Sequence, residues 1–306
     1  MATLFAELLR PLTPNRAAAM ASGNPAAETA GTALPPAEQP SPGRVTDTPA
    51  APTPAAATPA SEVDRASVAA PSVDATPIPA GPLVAIVLTE LGPNVGSARA
   101  AIDSLPPAVS LAFSPYADAA RGLAADARKR GHEVWLSVPM QPKSYPRVSP
   151  GKNVLLIGES GSENVRRLEW ALSRVDQPVG ITNMMGSAFT ESSAALKPVL
   201  AAARSRGLHY VDARSSGKSV GERDAKAAGV AAAMNDRFLD EPATAANIRR
   251  NLDDLVATAK RRGHAIGYGR AVPETIREVE AWSAALDGRG VTLVGASVVA
   301  RRNSGG

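Results

Sequence analysis

Acidic and polar side chains cluster directly after a series of short apolar segments, and their types could support hydrolytic chemistry. The acidic residues of these clusters are Glu90, Asp212, Asp236 and Asp240. Carboxylates can ligate a divalent ion, or divide the roles of acid and base when their environments separate their pKa values. The clusters read LTELG (88–92), SVPMQP (137–142), TNMMGS (182–187), DARSS (212–216), NDRFLD (235–240) and GYGRA (267–271). Turn formation also favours Asn, Asp, Ser, Gly and Pro at such positions, so both interpretations stand.

The apolar segments before these clusters have the length and composition of buried β-strands. They are 83–88, 108–114, 133–138, 178–183, 208–213, 264–269 and 291–299, with a weaker one at 234–239. Helical patterns separate most of them. This alternation predicts an α/β fold with a mainly parallel sheet, either open or closed into a barrel. Ligands of such folds bind at the carboxyl ends of the strands, where the polar clusters lie.

Two helices are predicted in most detail. Residues 244–262 place five apolar side chains on one face, and Pro273 opens a second amphipathic helix. The apolar positions are Ile248, Leu252, Leu255, Val256 and Ala259 in the first and Ile276, Val279, Trp282 and Leu286 in the second.

Three predicted helices end alike, in ARKRGHEV, ARSRGLHYV and AKRRGHAIG. Basic residues in a last turn complement the helix dipole, and the following Gly can adopt the left-handed cap conformation. We therefore interpret these basic residues as helix-end charges and predict no nucleic-acid partner. The three histidines, His132, His209 and His264, follow these glycines at strand starts, and we expect them to serve packing and hydrogen bonding.

Residues 1–80 differ from the rest in composition. They contain 14 of the 27 prolines and four Arg against seven acidic residues, a net charge of −3, so the rest of the +4 chain carries +7. Such a segment cannot bury enough apolar area to offset its chain entropy. We predict a disordered Pro/Ala-rich segment over 1–80 and a folded domain over 81–306.

The sequence lacks cysteine, a typical signal peptide and a long apolar stretch, and each lack excludes a class of function or of segment. With no Cys, the chain has no disulfide, no Cys-ligated zinc and no thiol nucleophile. The opening MATLFAELLRPLTP is a poor signal peptide, because no basic residue precedes its short apolar run. No stretch of about 20 apolar residues predicts a transmembrane helix.

The ordered set of six clusters resembles the divergent polysaccharide deacetylases of bacteria, from about Leu83 to Val299. That family carries IDDLG, GHEVLLHLPMEP, NNHMGS, DSRT and RDVFLD segments and a late GHP. The resemblance implies a distorted (β/α) barrel, a divalent ion and a carbohydrate substrate. The matching residues here are Gly92, Gly131, His132, Glu133, Pro139, Met140, Pro142, Asn183, Met185, Gly186, Ser187, Asp212, Arg214, Phe238, Leu239, Asp240 and Gly267.

The residues that differ from the family pattern stand mostly at the positions of its metal ligands and its catalytic base. Thr89 and Glu90 replace paired aspartates, and Ser137 and Gln141 replace a histidine and a glutamate. Met184 replaces the histidine of NNHMGS, while Tyr268 and Gly269 replace the histidine and proline of GHP. Hydroxyl, carboxamide and thioether groups are weak ligands for such ions, and Thr89 cannot act as a base near neutral pH. We therefore predict no metal ion or other cofactor.

These substitutions define the candidate site. If the protein is active, its catalytic residues are expected among Glu90, Asp212 and Asp240. The predicted ligand-binding residues are Thr89, Ser137, Gln141, Asn183, Met184, Arg214 and Tyr268. Asp212 with Arg214 could hold a turn or contact a ligand.

Three hypotheses of function remain open. The first is a catalytically inactive deacetylase-like protein that binds a carbohydrate. The second is an active deacetylase or hydrolase that uses a rearranged set of carboxylates, Asp236 included. The third is a non-enzymatic scaffold of the cell envelope, with residues 1–80 as a spacer or docking arm. The resemblance implies the periplasm or envelope although no export signal is visible, and the sequence identifies no protein partner.

Overall fold

The computed structural model describes residues 77–305, in which strands and helices alternate. The strands are β1 (Leu83–Leu91), β2 (Ser110–Phe113), β3 (Val134–Met140), β4 (Gly180–Met185), β5 (His209–Asp212), β6 (Ala232–Met234), β7 (Arg237–Phe238), β8 (His264–Arg270) and β9 (Thr292–Leu293). The helices are α1 (Val95–Ser104), α2 (Ala120–Lys129), α3 (Gly161–Leu172), α4 (Ser193–Ser205), α5 (Gly221–Ala227), α6 (Ala245–Arg262), α7 (Pro273–Ala284) and α8 (Ala296–Asn303). A short 3-10 helix spans Phe189–Glu191.

The strands pair in parallel and curl into a distorted barrel. Their order is β6-β5-β4-β3-β2-β1-β8-β7, and β9 pairs with the start of β1. The outer strands of this order, β6 and β7, are joined by two residues. Asn235 N donates to the Asp212 carbonyl oxygen of β5 at 2.8 Å, and Asp236 N donates to that of Ile266 in β8 at 2.9 Å. One segment thus bridges β5 to β8, and the predicted α/β barrel of mainly parallel strands is confirmed.

Alternate residues of each strand face two different layers. In β1, residues 84, 86 and 88 pack in the core shared with the surrounding helices, whereas residues 83, 85 and 87 face the barrel lumen. Small residues such as Ala112, Gly180 and Ala233 lie among the lumen positions. They leave space for two large lumen side chains, Trp135 and Tyr268, which are 0% and 2% exposed.

The last helix, α8, closes the amino-terminal end of the barrel, and its buried apolar residues belong to the same cluster as the lumen side chains. At its start, Glu133 accepts hydrogen bonds from the backbone N (3.1 Å) and the Oγ of Ser297. At its end, Asn303 Nδ2 donates to the Ala232 carbonyl oxygen at 3.0 Å. Because Glu133 precedes β3 and Ala232 begins β6, the helix spans the barrel end between these strands.

The carboxylate of Glu133 connects this helix to the strands. In addition to Ser297, it accepts hydrogen bonds from Ser110 Oγ of β2 at 2.9 Å and from Trp135 Nε1 of β3 at 3.1 Å. A negative charge at a helix N-terminus is favourable because the backbone N–H groups there lack intrahelical partners. A residue of the GHEV segment therefore stabilises the fold and does not contribute to the site.

The segment 291–299 was wrongly predicted to be a single strand. Only Thr292–Leu293 form β9, and the rest of that segment lies in α8. A short apolar run cannot by itself distinguish a buried strand from a buried helix. The group that stabilises the N-terminus of α8 lies 164 positions away in the sequence, so no local signal revealed it.

The strands predicted at 83–88, 108–114, 133–138, 178–183, 208–213 and 264–269 are confirmed, and the five apolar residues of α6 are all buried. The weak 234–239 segment is not one strand: it holds the last residue of β6, a two-residue crossing and β7. Basic residues lie in the last turns of α2, α4 and α6, as expected of helix-end charges. His209 and His264 begin β5 and β8, and His132 precedes β3, so all three lie away from the carboxyl ends of the strands.

The predicted disordered segment, residues 1–80, lies outside the described residues except for its last four positions. Within residues 77–305, no helix has both the length and the hydropathy that crossing a bilayer requires.

Glu133→Gln tests the connection between the strands and α8. The amide keeps one acceptor oxygen but places an NH₂ group among donors, so we expect a loss of about 2–3 kcal/mol in the free energy of unfolding. The matched control is Glu280→Gln on the exposed face of α7, which should change it by less than about 0.5 kcal/mol. Urea denaturation measures both, and equal midpoints would contradict the role given to Glu133.

Gly180→Ala tests the packing of the lumen. A Cβ at this position would lie 2.4 Å from Cζ3 of Trp135 and 2.7 Å from the His209 carbonyl oxygen. We expect a loss of about 1–3 kcal/mol from overpacking. Gly122→Ala in α2, where nothing lies within 4 Å of the new Cβ, should instead gain about 0.5–1 kcal/mol. Thermal melting compares the two, and a Gly180→Ala protein as stable as wild type would show that the lumen is loosely packed.

Candidate functional site

The carboxyl ends of β1, β3, β4 and β8 surround the barrel mouth, the end of the barrel opposite α8. Parallel pairing sets Thr89 of β1 beside Arg270 of β8, and Pro139 of β3 beside Met184 of β4. Thr89 and Met184 are half-buried, and Thr89 Oγ1 donates to the Gly269 carbonyl oxygen at 3.3 Å. The mouth is where the sequence predicts a site.

A layer of buried polar residues lies in the lumen beneath the mouth. Tyr268 and Thr182 face each other from strands on opposite sides of the barrel, and their hydroxyl oxygens are 2.5 Å apart, either one donating. Burial raises the pKa of Tyr268 well above its ordinary value, so its hydroxyl stays protonated. Ser137 pairs in register with Thr182 and is 3% exposed. Two predicted ligand-binding residues, Ser137 and Tyr268, thus fill the lumen below the mouth.

Two other predicted ligand-binding residues use their carboxamides to hold loops. Gln141 Oε1 accepts from Ile157 N at 2.8 Å, which fixes the loop between β3 and α3. Asn183 Oδ1 accepts from Ala213 N at 2.9 Å, and its Nδ2 donates to the Met185 carbonyl oxygen at 2.7 Å. The carboxamides of Gln141 and Asn183 are therefore hydrogen-bonded to the backbone of these loops.

Asp212 holds the turn after β5. Its Oδ1 accepts from Arg214 N at 2.7 Å and its Oδ2 from Ser219 Oγ at 2.5 Å. The side chain is fully buried, and burial raises its pKa although both hydrogen bonds oppose that shift. Asp212 thus holds the turn, one of the two roles predicted for it with Arg214, through the backbone of Arg214, and ligand contact stays a prediction. The exposed Arg214 side chain is not the partner.

Asp236 stabilises the wall of the barrel. Its Oδ1 forms an ion pair with Arg262, and its Oδ2 accepts from Ile266 N at 2.9 Å. These contacts fix the segment that crosses from β6 to β7.

Asp240 and Arg270 form an ion pair at the mouth. Asp240 Oδ2 accepts from the Arg270 backbone N at 3.0 Å and from its Nε at 3.1 Å, and Thr275 Oγ1 is 3.3 Å away. The Asp240 side chain is 3% exposed, whereas that of Arg270 is 44% exposed. The buried carboxylate therefore anchors a guanidinium that reaches solvent.

Glu90 is exposed beside this pair, in a left-handed backbone conformation with φ 61°. Partial burial raises its pKa; Arg270 opposes that shift and Asp240 adds to it. Met185 and Arg214, after β4 and β5, also have positive φ values, of 58° and 56°. Non-glycine residues pay for this conformation, and such strain concentrates at functional sites. Gln177, which lies before β4 at the other end of the barrel, also has a positive φ of 47°, so such backbone occurs at both ends.

Sequence reasoning missed two residues of the mouth, Arg270 and Glu241. The pKa of Glu241 is raised by burial and by Asp240, and Arg270 opposes the shift. Both residues adjoin the quoted clusters: Arg270 lies within GYGRA and Glu241 follows NDRFLD. The parallel register of β1 and β8, which sets Arg270 beside Thr89, is the signal that would have identified Arg270.

The side chains of the mouth do not fit the divalent ion that the resemblance implies. Such an ion needs about three strong ligands and an open position. Ser137, Gln141, Met184 and Tyr268 offer weak donors, and the oxygens of Asp212 are engaged in its turn. Within residues 77–305, no group of three or more His, Asp or Glu side chains is arranged to hold a metal ion.

A surface cleft of about 590 Å³ lies elsewhere, near the C-termini of α2, α3 and α4. Its charged groups are already paired, since Arg206 contacts Glu169 and Arg128 donates to the Asp176 carbonyl oxygen at 2.5 Å. The cleft does not adjoin the barrel mouth.

Comparisons with known proteins agree with the fold and the sequence motifs. An uncharacterised protein of Haemophilus influenzae is 31% identical over 198 residues, which are 65% of this chain and 70% of that protein. The uncharacterised Escherichia coli protein YibQ is 31% identical over 197 residues, 64% of this chain and 61% of its own. A crystal structure from Agrobacterium tumefaciens C58 superposes with a TM-score of 0.69 at 36% identity, covering 72% of this chain and 89% of that one.

The family comparison covers most of the described domain. The sequence profile of the divergent polysaccharide deacetylases matches residues 86–300, from within β1 to within α8. The chain therefore belongs to the divergent polysaccharide deacetylase family.

Proposed function

We propose that this protein binds a carbohydrate at the barrel mouth and does not hydrolyse it by a metal-dependent route. One observation carries the proposal: the strand-end positions that should supply strong ligands and a base hold Thr89, Ser137, Gln141, Met184 and Tyr268. Family membership supports a carbohydrate as the class of ligand. On the resemblance alone, we place this role in the periplasm or cell envelope.

Exposed side chains around the barrel mouth have the polar and apolar groups that a sugar-binding surface needs. Glu90, Arg214 and Arg270 offer acceptors and donors to hydroxyl groups. Tyr145 and Ile157, in the loop after β3, are 36% and 43% exposed, and their apolar surfaces can pack against the C–H face of a sugar ring. Polar groups beside exposed apolar ones are typical of binding surfaces.

A second candidate function is hydrolysis by a rearranged carboxylate site. It is favoured by Glu90, a strained and exposed carboxyl with a raised pKa, close to the buried, ion-paired Asp240. Two carboxyl groups in such different environments can divide the roles of acid and base. Asp212 and Asp236 lie outside this arrangement, because their oxygens hold the turn after β5 and the barrel wall.

Calorimetric titration with a fully acetylated chito-oligosaccharide tests binding. We expect saturable binding by wild type and an affinity at least about tenfold lower for Tyr145→Ala, which removes the apolar contact. Lys129→Ala, at the far end of α2, is the matched control and should bind as wild type does. No binding by wild type would contradict the proposal for this class of glycan.

Acetate release by the same proteins separates the two candidate functions. We expect wild type and Glu90→Gln to release acetate at the same background rate, with or without added Zn²⁺. If Glu90 is a general acid or base, Glu90→Gln should lower the rate by about 10²-fold or more. An acid role would also make the wild-type rate fall as pH rises through the raised pKa of Glu90, because the proton it donates is then lost. A rate that Glu90→Gln lowers, with this pH dependence in wild type alone, would establish the second function.

A further inference from the structure

The rim cluster consists of Arg270, Glu90, Asp240 and Glu241. Its centre is the guanidinium of Arg270, which Asp240 holds in place through one oxygen shared by the backbone N and Nε. A buried carboxylate such as Asp240 requires a partner, because removing a charge from water without one is costly. The guanidinium is therefore a fixed part of the site.

The pairing of β1 with β8 brings Arg270 near enough to Glu90 for their charges to interact. Thr89 and Arg270 are partners in register, and Ala271 N donates to the Thr89 carbonyl oxygen at 3.0 Å. Glu90 is the next residue along β1, and its left-handed backbone turns the strand there. Among residues 77–305, neither Nη atom of Arg270 donates a hydrogen bond, so the outer edge of the guanidinium remains available at the mouth.

The charges of the cluster are coupled. Burial raises the pKa of Glu90 and of Glu241, and Arg270 opposes the shift in both. An arginine side chain stays protonated throughout the range in which proteins fold. One permanent positive charge thus acts on three carboxyl groups.

We propose that Arg270 is the built-in cation of this site, and that its guanidinium takes the place beside Asp240 and Glu90 that a divalent ion would need. Asp240 already directs an oxygen to the guanidinium, and an incoming ion would meet a fixed like charge beside Glu90. The site therefore attracts and orients ligand oxygens by N–H donors, where a metal-dependent site would use an ion. The inference concerns cation binding alone and does not require that the ligand be a carbohydrate.

Arg270→His and Arg270→Lys test the inference with Co²⁺ as the probe, at pH 8 in the full-length protein. The histidine removes the permanent charge and supplies a nitrogen ligand beside Glu90, whereas the lysine retains the charge. We expect no saturable Co²⁺ binding by wild type or Arg270→Lys, measured by calorimetry and visible absorption. We expect Arg270→His to bind Co²⁺ saturably, and to lose this binding when Glu90→Gln is added.

Three outcomes would overturn the inference. They are Co²⁺ binding by wild type that Glu90→Gln abolishes, binding by Arg270→Lys as tight as by Arg270→His, and no gain in a folded Arg270→His protein. Circular dichroism melting establishes whether each variant is folded. If Arg270→His is unfolded, Arg270→Gln takes its place: a gain of Glu90-dependent Co²⁺ binding supports the inference, and no gain in the folded variant overturns it. Because no sugar is present, failure here is distinct from failure of the proposed carbohydrate binding.

Discussion

The lumen of this barrel has to be filled from both ends, and this requirement determines most of the structure. Lumen positions such as Ala112, Gly180 and Ala233 are too small to meet across the barrel. Unfilled space in a protein interior forfeits dispersion contacts and destabilises the fold. At the amino-terminal end α8 supplies the missing volume, and nearer the mouth Tyr268 reaches across the lumen to Thr182. Glu133 holds α8 in place by joining its N-terminus to β2 and β3.

Because the lumen is filled, only side chains at the rim of the mouth are available to a ligand. With Ser137 and Tyr268 buried beneath it, the candidate site is a rim of side chains above a packed interior. The polar residues of the strand ends then divide into two groups. Gln141, Asn183 and Asp212 satisfy backbone groups of the loops, while the rim cluster carries exposed charge. Family membership thus fixes the scaffold and leaves the chemistry to a few side chains.

The sequence predicted the scaffold better than the site, for physical reasons. Strand and helix periodicity and helix-end glycines are local signals, so most strands and helices such as α6 could be anticipated. The helix α8 could not, because Glu133 stabilises it from 164 positions away. Arg270 was overlooked for a related reason: its significance comes from pairing with Thr89, 181 positions earlier. Side chains at strand ends were identified by type, but whether each faces lumen, loop or solvent depends on register and on twist.

The position of β1 in the sheet affects the synthesis of the protein. Residues 83–86 have β8 on one edge and, at residues 83 and 84, β9 on the other. A ribosome making this chain releases these apolar residues long before residue 264, and later residue 292, exists to pair with them. Unpaired apolar strands recruit other chains, and long-range parallel pairing is slow to form. The start of β1 therefore stays without its partner strands until the end of synthesis, and that is the interval in which its apolar edge favours aggregation.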